Sequence, residues 1–156
     1  MITLRQVLPA DEDFLYQVYA STRIEEVAAF GWGEEEQEAF LRMQYELQRL
    51  SYALTYPNAH HEVICVEEER AGQMLTNRSA DTLTLVDISL LPEYRNRGIG
   101  SMLIRQLQEE AAASGTSICL HVWAGNRALH LYSRMGFRTK SAGQPYISMI
   151  WTPARG

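Results

Sequence analysis

The spacing of apolar residues along the chain predicts alternating strands and helices. Residues 1–7 alternate weakly in polarity, which predicts a first strand that ends before Pro9. Asp11, Glu12 and Asp13 suit the start of a helix, because carboxylates are stabilised at the positive end of the helix dipole. That helix continues through Phe14, Leu15, Val18 and Tyr19. The sequence Gly31-Trp32-Gly33 then predicts a break.

A second, longer helix is expected to begin at Glu34 and to end before Tyr56-Pro57-Asn58. Its apolar residues recur at intervals of three and four positions, which places them on one stripe: Phe40, Met43, Leu47, Leu50 and Leu54. Because the stripe covers only about two heptads, it favours a helix that faces the core over a coiled coil.

The remainder of the chain predicts a sheet with two more helices. Six further strands are expected at 62–66, 72–77, 82–91, 117–123, 137–140 and 146–151, with a solvated turn at 67–70. One helix after Pro92 is expected to end at Gly115 as its C′ residue, and a short one to end at Gly136. Helices before, between and after strands predict an α/β (α+β, mixed-sheet) fold, and no linker or repeat divides residues 1–156 into more than one domain.

Composition places the chain among ordinary globular proteins. Hydrophobic residues make up 46% and charged residues 21%, which is not typical of disorder. The absence of an apolar run longer than four residues predicts no membrane span and no signal peptide, hence a cytoplasmic protein. The two cysteines, Cys65 and Cys119, are too few for a disulfide scaffold or a structural zinc site and are expected to be buried thiols; no metal is expected.

Charge is distributed unevenly along the chain. The net charge of −5 disfavours a sequence-independent nucleic-acid binder. Residues 1–69 carry 14 acidic and 4 basic side chains, whereas residues 70–156 carry 5 acidic and 10 basic ones. Two interpretations stay open: a solvated acidic surface without a role, or an N-terminal half that attracts a cation beside a C-terminal half suited to an anion.

The segment after the strand at 82–91 predicts a binding site for an anion. Arg95, Gly98 and Gly100 lie where a helix begins directly after a strand. Glycines let backbone N–H groups converge, and the helix start adds unpaired donors, so a phosphate or pyrophosphate is the expected ligand. A Walker A loop is excluded because Ser101 follows Gly100, and a dinucleotide fingerprint because Leu103 replaces its third glycine. A glycine-rich helix entrance without any ligand is the alternative.

Two segments of the second half of the chain carry signatures of a known kind. The string D-I-S-L-L-P-E-Y-R-N-R-G-I-G-S, with [QR]-x-x-G-x-[GA] after a hydrophobic strand and a proline, resembles the acetyl-CoA loop of the GNAT superfamily of N-acetyltransferases. About 25 residues later, N-R-A-L-H-L-Y-S-R-M-G-F matches its second signature. The resemblance covers residues 82–137 and implies the GNAT fold, with six or seven strands and about four helices. It also implies acetyl-CoA as the acetyl-donor cosubstrate.

The resemblance further implies roles for individual residues. The pyrophosphate of acetyl-CoA is expected on the loop and first helical turn: Arg95, Asn96, Arg97, Gly98, Ile99, Gly100 and Ser101. The pantetheine arm is expected along the backbone of Ile88, Ser89 and Leu90, with the N–H of Leu90 orienting the acetyl carbonyl. Asn126 is expected to contact the arm, to cap a helix, or both. Tyr132 is expected to protonate the leaving thiolate; the alternative is a core residue.

The resemblance does not point to one residue as the general base. Asp87 stands in an otherwise apolar strand, and it is either the base or a structural carboxylate held by backbone donors. His121 on the next predicted strand is a second candidate, with ordinary packing as its alternative. Five residues of the N-terminal half either line an acceptor pocket or serve as surface and packing residues: Glu25, Glu26, Trp32, His60 and His61.

The expected function is direct transfer of an acetyl group from acetyl-CoA to a primary amine in a ternary complex. The acceptor is expected to be a small-molecule or peptide amine, and the acidic N-terminal half favours a cationic one. The alternatives are a non-catalytic CoA-binding regulatory module and an acyltransferase that acts on protein N-termini. No nucleic acid and no membrane is expected as a partner, and a homodimer is left open.

Overall fold

Seven strands and four helices make up the fold in the computed structural model, which describes residues 1–142 and 145–154. The strands are β1 (Ile2–Gln6), β2 (His60–Val66), β3 (Glu69–Arg78), β4 (Thr82–Leu90), β5 (Ser117–Trp123), β6 (Arg138–Ala142) and β7 (Tyr146–Trp151). The helices are α1 (Glu12–Ala28), α2 (Glu34–Thr55), α3 (Ile99–Ser114) and α4 (Ala128–Arg134), with short 3₁₀ turns at Pro9–Asp11 and Pro92–Tyr94. Every predicted strand and helix is present, and the strand ends match the prediction or differ from it by at most three residues. The predicted turn at 67–70 is shorter, because β3 already begins at Glu69.

The strands form one mixed sheet in the order β1-β2-β3-β4-β5-β7-β6. The pairs β1–β2, β5–β7 and β6–β7 are antiparallel. Strands β4 and β5 run parallel, from Thr82 beside Ser117 to Leu85 beside Leu120. Helix α3 connects this parallel pair, as expected because parallel neighbours need a crossover connection. The α/β mixed-sheet prediction is therefore confirmed.

The chain forms two compact units. The first comprises Met1–Leu75 and Asp87–Arg95, and the second Thr76–Val86 and Asn96–Gly156. In the first unit, α1 and α2 bury a core with β2: Phe14, Leu15, Tyr16, Val18, Val27, Leu41, Tyr45, Val63 and Cys65. Cys65 is thus the buried thiol that the sequence predicts, while Cys119 of the second unit is a partly buried free thiol.

The second unit is built on the apolar face of α3. Ile99, Leu103 and Leu107 of this face are buried as predicted, and Ile118 and Leu120 of β5 are buried in the same unit. Gly115 ends the helix with a φ of +69°, and the N–H of Thr116 donates to the carbonyl of Ala111, which closes a left-handed C-terminal cap.

Among the described residues, no helix combines the length and the apolar character needed to cross a bilayer.

The predicted orientation of α2 is wrong. Its buried side chains are Leu41 and Tyr45. Of the predicted core stripe, Phe40 is partly buried against the core, whereas Met43, Leu47, Leu50 and Leu54 are exposed. The ring of Tyr45 packs edge-on against Tyr16 of α1 at 5.6 Å between centroids. Aromatic packing on the neighbouring face of the helix therefore sets its orientation, which the 3–4 spacing of leucines does not reveal.

Asp11 has a different role from the one predicted for it at the start of a helix. It makes no side-chain cap to α1. Instead its buried carboxylate accepts two hydrogen bonds from the Arg5 guanidinium, at 2.8 and 2.9 Å, one from Arg70 at 3.2 Å and one from the Leu8 N–H at 2.8 Å. These donors, led by Arg5, hold the pKa of Asp11 well below its usual range.

Asp11→Asn should therefore destabilise the protein in a pH-dependent manner. Losing charged hydrogen bonds costs about 1–3 kcal/mol, and each kcal/mol lowers the Tm by about 2–4 °C in a chain of this size. Because the folded-state pKa of Asp11 is depressed, its contribution is complete above the unfolded-state pKa of about 4 and is lost as the pH falls further. We expect the Tm difference between parent and variant to be constant at pH 6–8 and to shrink below about pH 4. A difference independent of pH would contradict this role.

Candidate active site

The loop before α3 has the backbone conformation of an anion-binding turn. Asn96 and Gly98 have φ values of +61° and +80°. Alternation of left-handed and other conformations turns successive N–H groups toward one side of a loop. Helix α3 starts at Ile99, and the N–H of Met102 donates to the carbonyl of Gly98 at 3.0 Å. The N–H groups before Met102 belong to the first turn, where a helix leaves donors without an intrahelical acceptor.

Helix α4 packs beside this first turn. A Cβ on Gly100 would lie 3.6 Å from Cδ2 of Leu131, and the Gln108 side-chain amide donates to the carbonyl of Met135 at 2.8 Å. The next residue after Leu131, Tyr132, is buried, and its ring centroid lies 5.7 Å from that of Phe137. The second unit therefore brings the loop residues from Asn96 to Ser101 together with the helix that carries Tyr132.

Asn126 is the cap that the sequence predicts. Its side-chain carbonyl accepts a hydrogen bond from the N–H of Ala128, the first residue of α4, at 2.9 Å. The capping role is confirmed, while the contact with a pantetheine arm stays a prediction. Because capping uses only the side-chain oxygen, the amide NH₂ of Asn126 keeps donor capacity for a ligand.

Arg95 has a structural role in addition to its charge. Its Nε donates to the carbonyl of Leu90 at 2.9 Å, and its Nη2 donates to Oγ of Ser21 at 3.2 Å. The sequence predicts Arg95 as part of the loop that holds the pyrophosphate of acetyl-CoA, and that role stays a prediction. In the first unit its side chain ties the end of β4 to α1, whereas the side chain of Arg97 is exposed.

A close approach of two backbones fixes the end of β4. A Cβ on Gly72 of β3 would lie 2.1 Å from the carbonyl oxygen of Ser89 and 2.9 Å from Cα of Leu90. The N–H of Leu91 also donates to the carbonyl of Ala71 at 2.8 Å. Sequence reasoning did not single out Gly72, although a glycine inside a predicted strand is the signal of such an approach.

Asp87 belongs to a side-chain network in the first unit. The amide NH₂ of Gln73 donates to Oδ2 of Asp87 at 2.9 Å and to Oγ of Ser89 at 2.7 Å. The Oε1 of Gln73 lies 2.9 Å from Nε2 of His61. Burial raises the pKa of Asp87, and the hydrogen bond from Gln73 and the neighbouring charge of His61 oppose that rise. The carboxylate is thus partly desolvated but oriented, as a proton acceptor requires.

Gln73 and His61 complete the network, and only His61 was a candidate from sequence. Gln73 is nearly fully buried on β3, 14 positions from Asp87, so no local pattern connects the two. The second candidate base, His121, lies on β5 in the other unit, where its side chain is exposed. Within the described residues, no group of three or more His, Cys, Asp or Glu side chains is arranged to hold a metal ion.

A cavity in the first unit is lined by α1, α2 and Phe30. Of the acceptor-pocket candidates, Glu26 lines this cavity together with Tyr19, Arg23, Val27, Phe30, Phe40, Leu41 and Gln44. Trp32 packs next to it, with its ring centroid 5.0 Å from that of Phe30 in a tilted contact and 5.3 Å from that of Phe40 in an edge-on contact. Glu25 and His60 are exposed and are not among the residues that line it.

Known proteins resemble both the sequence and the fold. The family model for the acetyltransferase (GNAT) domain matches residues 57–139, which is more than half of the chain. A curated relative, the ribosomal protein bS18-alanine N-acetyltransferase of Salmonella typhimurium, is 30% identical over 85 residues. That match covers 53% of this chain and 57% of the relative, so the chain spans little more than half of the relative's length.

Two solved structures match over nearly the whole chain. The PaiA N-acetyltransferase of Thermoplasma acidophilum, in complex with coenzyme A, aligns with a TM-score of 0.72 and 19% identity, over 97% of this chain and 99% of that one. The ribosomal-protein-S18-alanine N-acetyltransferase of Escherichia coli aligns with a TM-score of 0.65 and 20% identity, over 100% and 97%. At such low identity these structures establish the fold, and the family model establishes the membership: the chain belongs to the GNAT family of acetyltransferases.

Proposed function

We propose that this protein transfers the acetyl group of acetyl-CoA to a primary amine by direct attack in a ternary complex. The observation that carries the proposal is the turn before α3, in which Asn96 and Gly98 are both left-handed. Such a turn at a helix start suits the pyrophosphate of CoA. The relative solved with coenzyme A has the same fold, which supports the same ligand here.

The strand before the loop supplies the second part of the proposed CoA site. Pairing of β4 with β5 extends only to Leu85, so Ile88, Ser89 and Leu90 lie beyond the paired segment. An extended pantetheine arm carries amide groups that can add to this backbone as a further strand does. Arg95 holds the carbonyl of Leu90, which favours a fixed direction for the peptide groups around it.

The proposed chemistry assigns one role to each group. Asp87 accepts the proton that the ammonium must lose before its nitrogen attacks the thioester carbonyl. The N–H of Leu90 donates to the oxyanion that forms on that carbonyl. When the C–S bond breaks, the Tyr132 hydroxyl donates its proton to the departing thiolate, and the second proton that the nitrogen loses on becoming an amide restores the tyrosine through solvent. The transfer from tyrosine to the thiolate is nearly balanced, because a thiol pKa of about 8.5 and a phenol pKa of about 10 are close.

A cationic amine is the acceptor class that the charge distribution favours. Residues 1–69 carry a net charge of −10. Within the cavity of the first unit, Glu26 is paired with Arg23 at 3.6 Å, so the attraction comes from the surrounding acidic surface rather than from the cavity lining. An acidic surface raises the local concentration of a cationic substrate. A protein N-terminus is the second candidate acceptor, favoured by the 30% identical relative, which is named for an alanine of ribosomal protein bS18.

The decisive experiment measures release of the CoA thiol from acetyl-CoA with a panel of acceptors. The panel includes polyamines, lysine peptides, aminoglycosides and peptides with a free N-terminal alanine. Turnover with a cationic amine supports the proposal, and preference for the alanine peptide supports the second candidate. Binding of acetyl-CoA without turnover on any member would instead support a non-catalytic CoA-binding module.

Gly98→Val should abolish acetyl-CoA binding. Ligand that binds the native state raises the Tm by mass action, so the parent should show a Tm increase with acetyl-CoA. A valine at Gly98 places a branched side chain where the phosphate must approach the backbone, and this Tm increase should disappear. Gly115→Val is a matched control, because both glycines have positive φ and open space where a Cβ would lie, and Gly115 is at the far end of α3. Equal ligand-induced shifts in the two variants would remove the loop from the binding site.

A further inference from the structure

The apolar stripe of α2 faces away from the core of its own unit. Met43, Leu47 and Leu50 are 51%, 55% and 56% exposed, and Leu54 is 83% exposed. These four side chains follow one another at intervals of four, three and four residues and so form a continuous line along the helix. Monomeric soluble proteins rarely leave a large contiguous apolar patch in water unless it binds something.

The other side of α2 holds the helix in this orientation. Leu41 and Tyr45 are buried, and the Arg42 guanidinium lies 3.7 Å from the ring centroid of Tyr16 on α1. Tyr45 contacts both Tyr16 and Tyr19 through ring edges or tilted faces. Because these contacts fix the rotation of the helix about its axis, the stripe stays on the surface.

We propose that the stripe is an interface between two copies of this chain, which pack their α2 helices against each other in antiparallel orientation. Spacing of three and four residues is that of the a and d positions of a heptad, the pattern that a second helix recognises. The acidic character of α2 disfavours a membrane surface, since it carries five glutamates against two arginines and amphipathic membrane helices are rich in basic residues. This proposal does not depend on the proposed acetyltransferase reaction.

The stripe is complementary to itself when two copies are related by a twofold axis between Gln48 and Arg49. Leu47 then lies opposite Leu50 of the partner subunit, and Met43 lies opposite Leu54 of the partner subunit. Each of the four exposed side chains thus faces an apolar side chain of the other copy. The same patch serves both copies, as the isologous contact of a twofold dimer requires.

The residues that border the stripe add no repulsion to this arrangement. Gln44, Ser51 and Ala53 are neutral and flank the four apolar side chains. The nearest charges, on Glu46 and Arg49, already neutralise each other, with 3.0 Å between Nη2 and Oε2. A neutral border on both copies lets the helices approach without like charges facing each other.

Aromatic residues extend the patch at the N-terminal end of α2. Phe30 and Trp32 are 54% and 40% exposed, and both rings contact Phe40, which lies one step before Met43 on the same stripe. With the twofold axis between Gln48 and Arg49, however, the partner's helix reaches only the four aliphatic side chains and their neutral neighbours. The contact is therefore smaller than the roughly 800 Å² per partner of standard interfaces, and we expect a dimer that forms at high protein concentration.

The mass of the protein in solution tests the interface directly. We expect light scattering after gel filtration to give twice the 17.8 kDa chain mass, and the double variant Leu47→Gln/Leu50→Gln to give the chain mass. Leu8→Gln is the matched control, because Leu8 is equally exposed but lies outside α2, and it should remain dimeric. Circular dichroism checks that each variant is folded. A monomeric parent protein at about 100 µM, or a double variant that still dimerises, would overturn the proposal.

Cysteine cross-linking tests the antiparallel orientation. Met43→Cys/Leu54→Cys should form a disulfide-linked dimer under mild oxidation, because the thiol introduced at position 43 of one copy lies opposite the thiol introduced at position 54 of the other copy. The single variants Met43→Cys and Leu54→Cys should not form this dimer, since neither position lies opposite the same position of the other copy. Dimers from the single variants would overturn the antiparallel arrangement. A monomeric parent that binds uncharged phosphatidylcholine vesicles through the same leucines would assign the stripe to a lipid surface and overturn the interface.

Discussion

Replacing Tyr132 with phenylalanine is expected to lower kcat about 10²–10⁴-fold, the span usual for the loss of a general acid. The ring is buried beside Phe137, so the variant keeps the buried area of this helix and loses only the hydroxyl. Acetyl-CoA affinity should change little, because the proposed binding groups are backbone N–H groups of the loop before α3. The measurements are a saturation curve for acetyl-CoA and a thermal melt.

Tyr45→Phe is the matched control for this substitution. Tyr45 is buried to a similar degree, at 9% exposure against 7%, and packs in an aromatic cluster of the first unit. It should leave kcat unchanged. If Tyr132→Phe keeps a near-parental kcat at a pH where chemistry limits the rate, and loses thermal stability instead, then Tyr132 is a core residue and solvent donates the proton.

Asp87→Asn is expected to lower kcat by a similar factor of about 10²–10⁴ without lowering the Tm. Asparagine keeps an oxygen that can accept the hydrogen bond from Gln73 but cannot take a proton from the amine. Burial raises the pKa of Asp87, so its ionised form is the costly one in the folded protein. At neutral pH, removing the charge therefore relieves a destabilising contribution, and the Tm should stay level or rise.

The pH profile separates a base from a structural carboxylate. In the parent, kcat/KM should fall as the pH is lowered through a pKa above the usual value of about 4 for aspartate, because only the ionised Asp87 accepts a proton. Asp81→Asn, at the exposed turn before β4, is the control and should keep the parental profile. If Asp87→Asn keeps the parental kcat and the same fall of kcat/KM at low pH, then Asp87 is a structural carboxylate and another group is the base.

The elements that sequence predicts well are those in which a local pattern and the tertiary packing agree. Helix α3 is an example, because its apolar face is the face that it buries and Gly115 ends it as expected. The loop with Gly98 and the capping by Asn126 are also local, since each depends on residues within a few positions. Signals of this kind need no knowledge of which distant segments meet.

The features that sequence misses depend on contacts between distant segments. Nothing local connects Asp11 with Arg70, which are 59 positions apart, and the same holds for Gln73 and Asp87. The stripe on α2 misleads for a different reason: periodicity shows that a helix has an apolar face, but it does not show whether that face meets the core of the same chain. Aromatic packing of Tyr45 on the adjacent face decides the orientation.

The close approach at Gly72 limits which mutations its codon can tolerate. Every amino acid reached from a glycine codon by a single nucleotide change carries a Cβ atom, and at this position a Cβ would lie 2.1 Å from the Ser89 carbonyl oxygen. A missense change at the first or second base of this codon thus displaces the backbone at Ser89 and Leu90. Among natural alleles we therefore expect only synonymous codon changes at this position, even though Gly72 presents no side chain to a substrate.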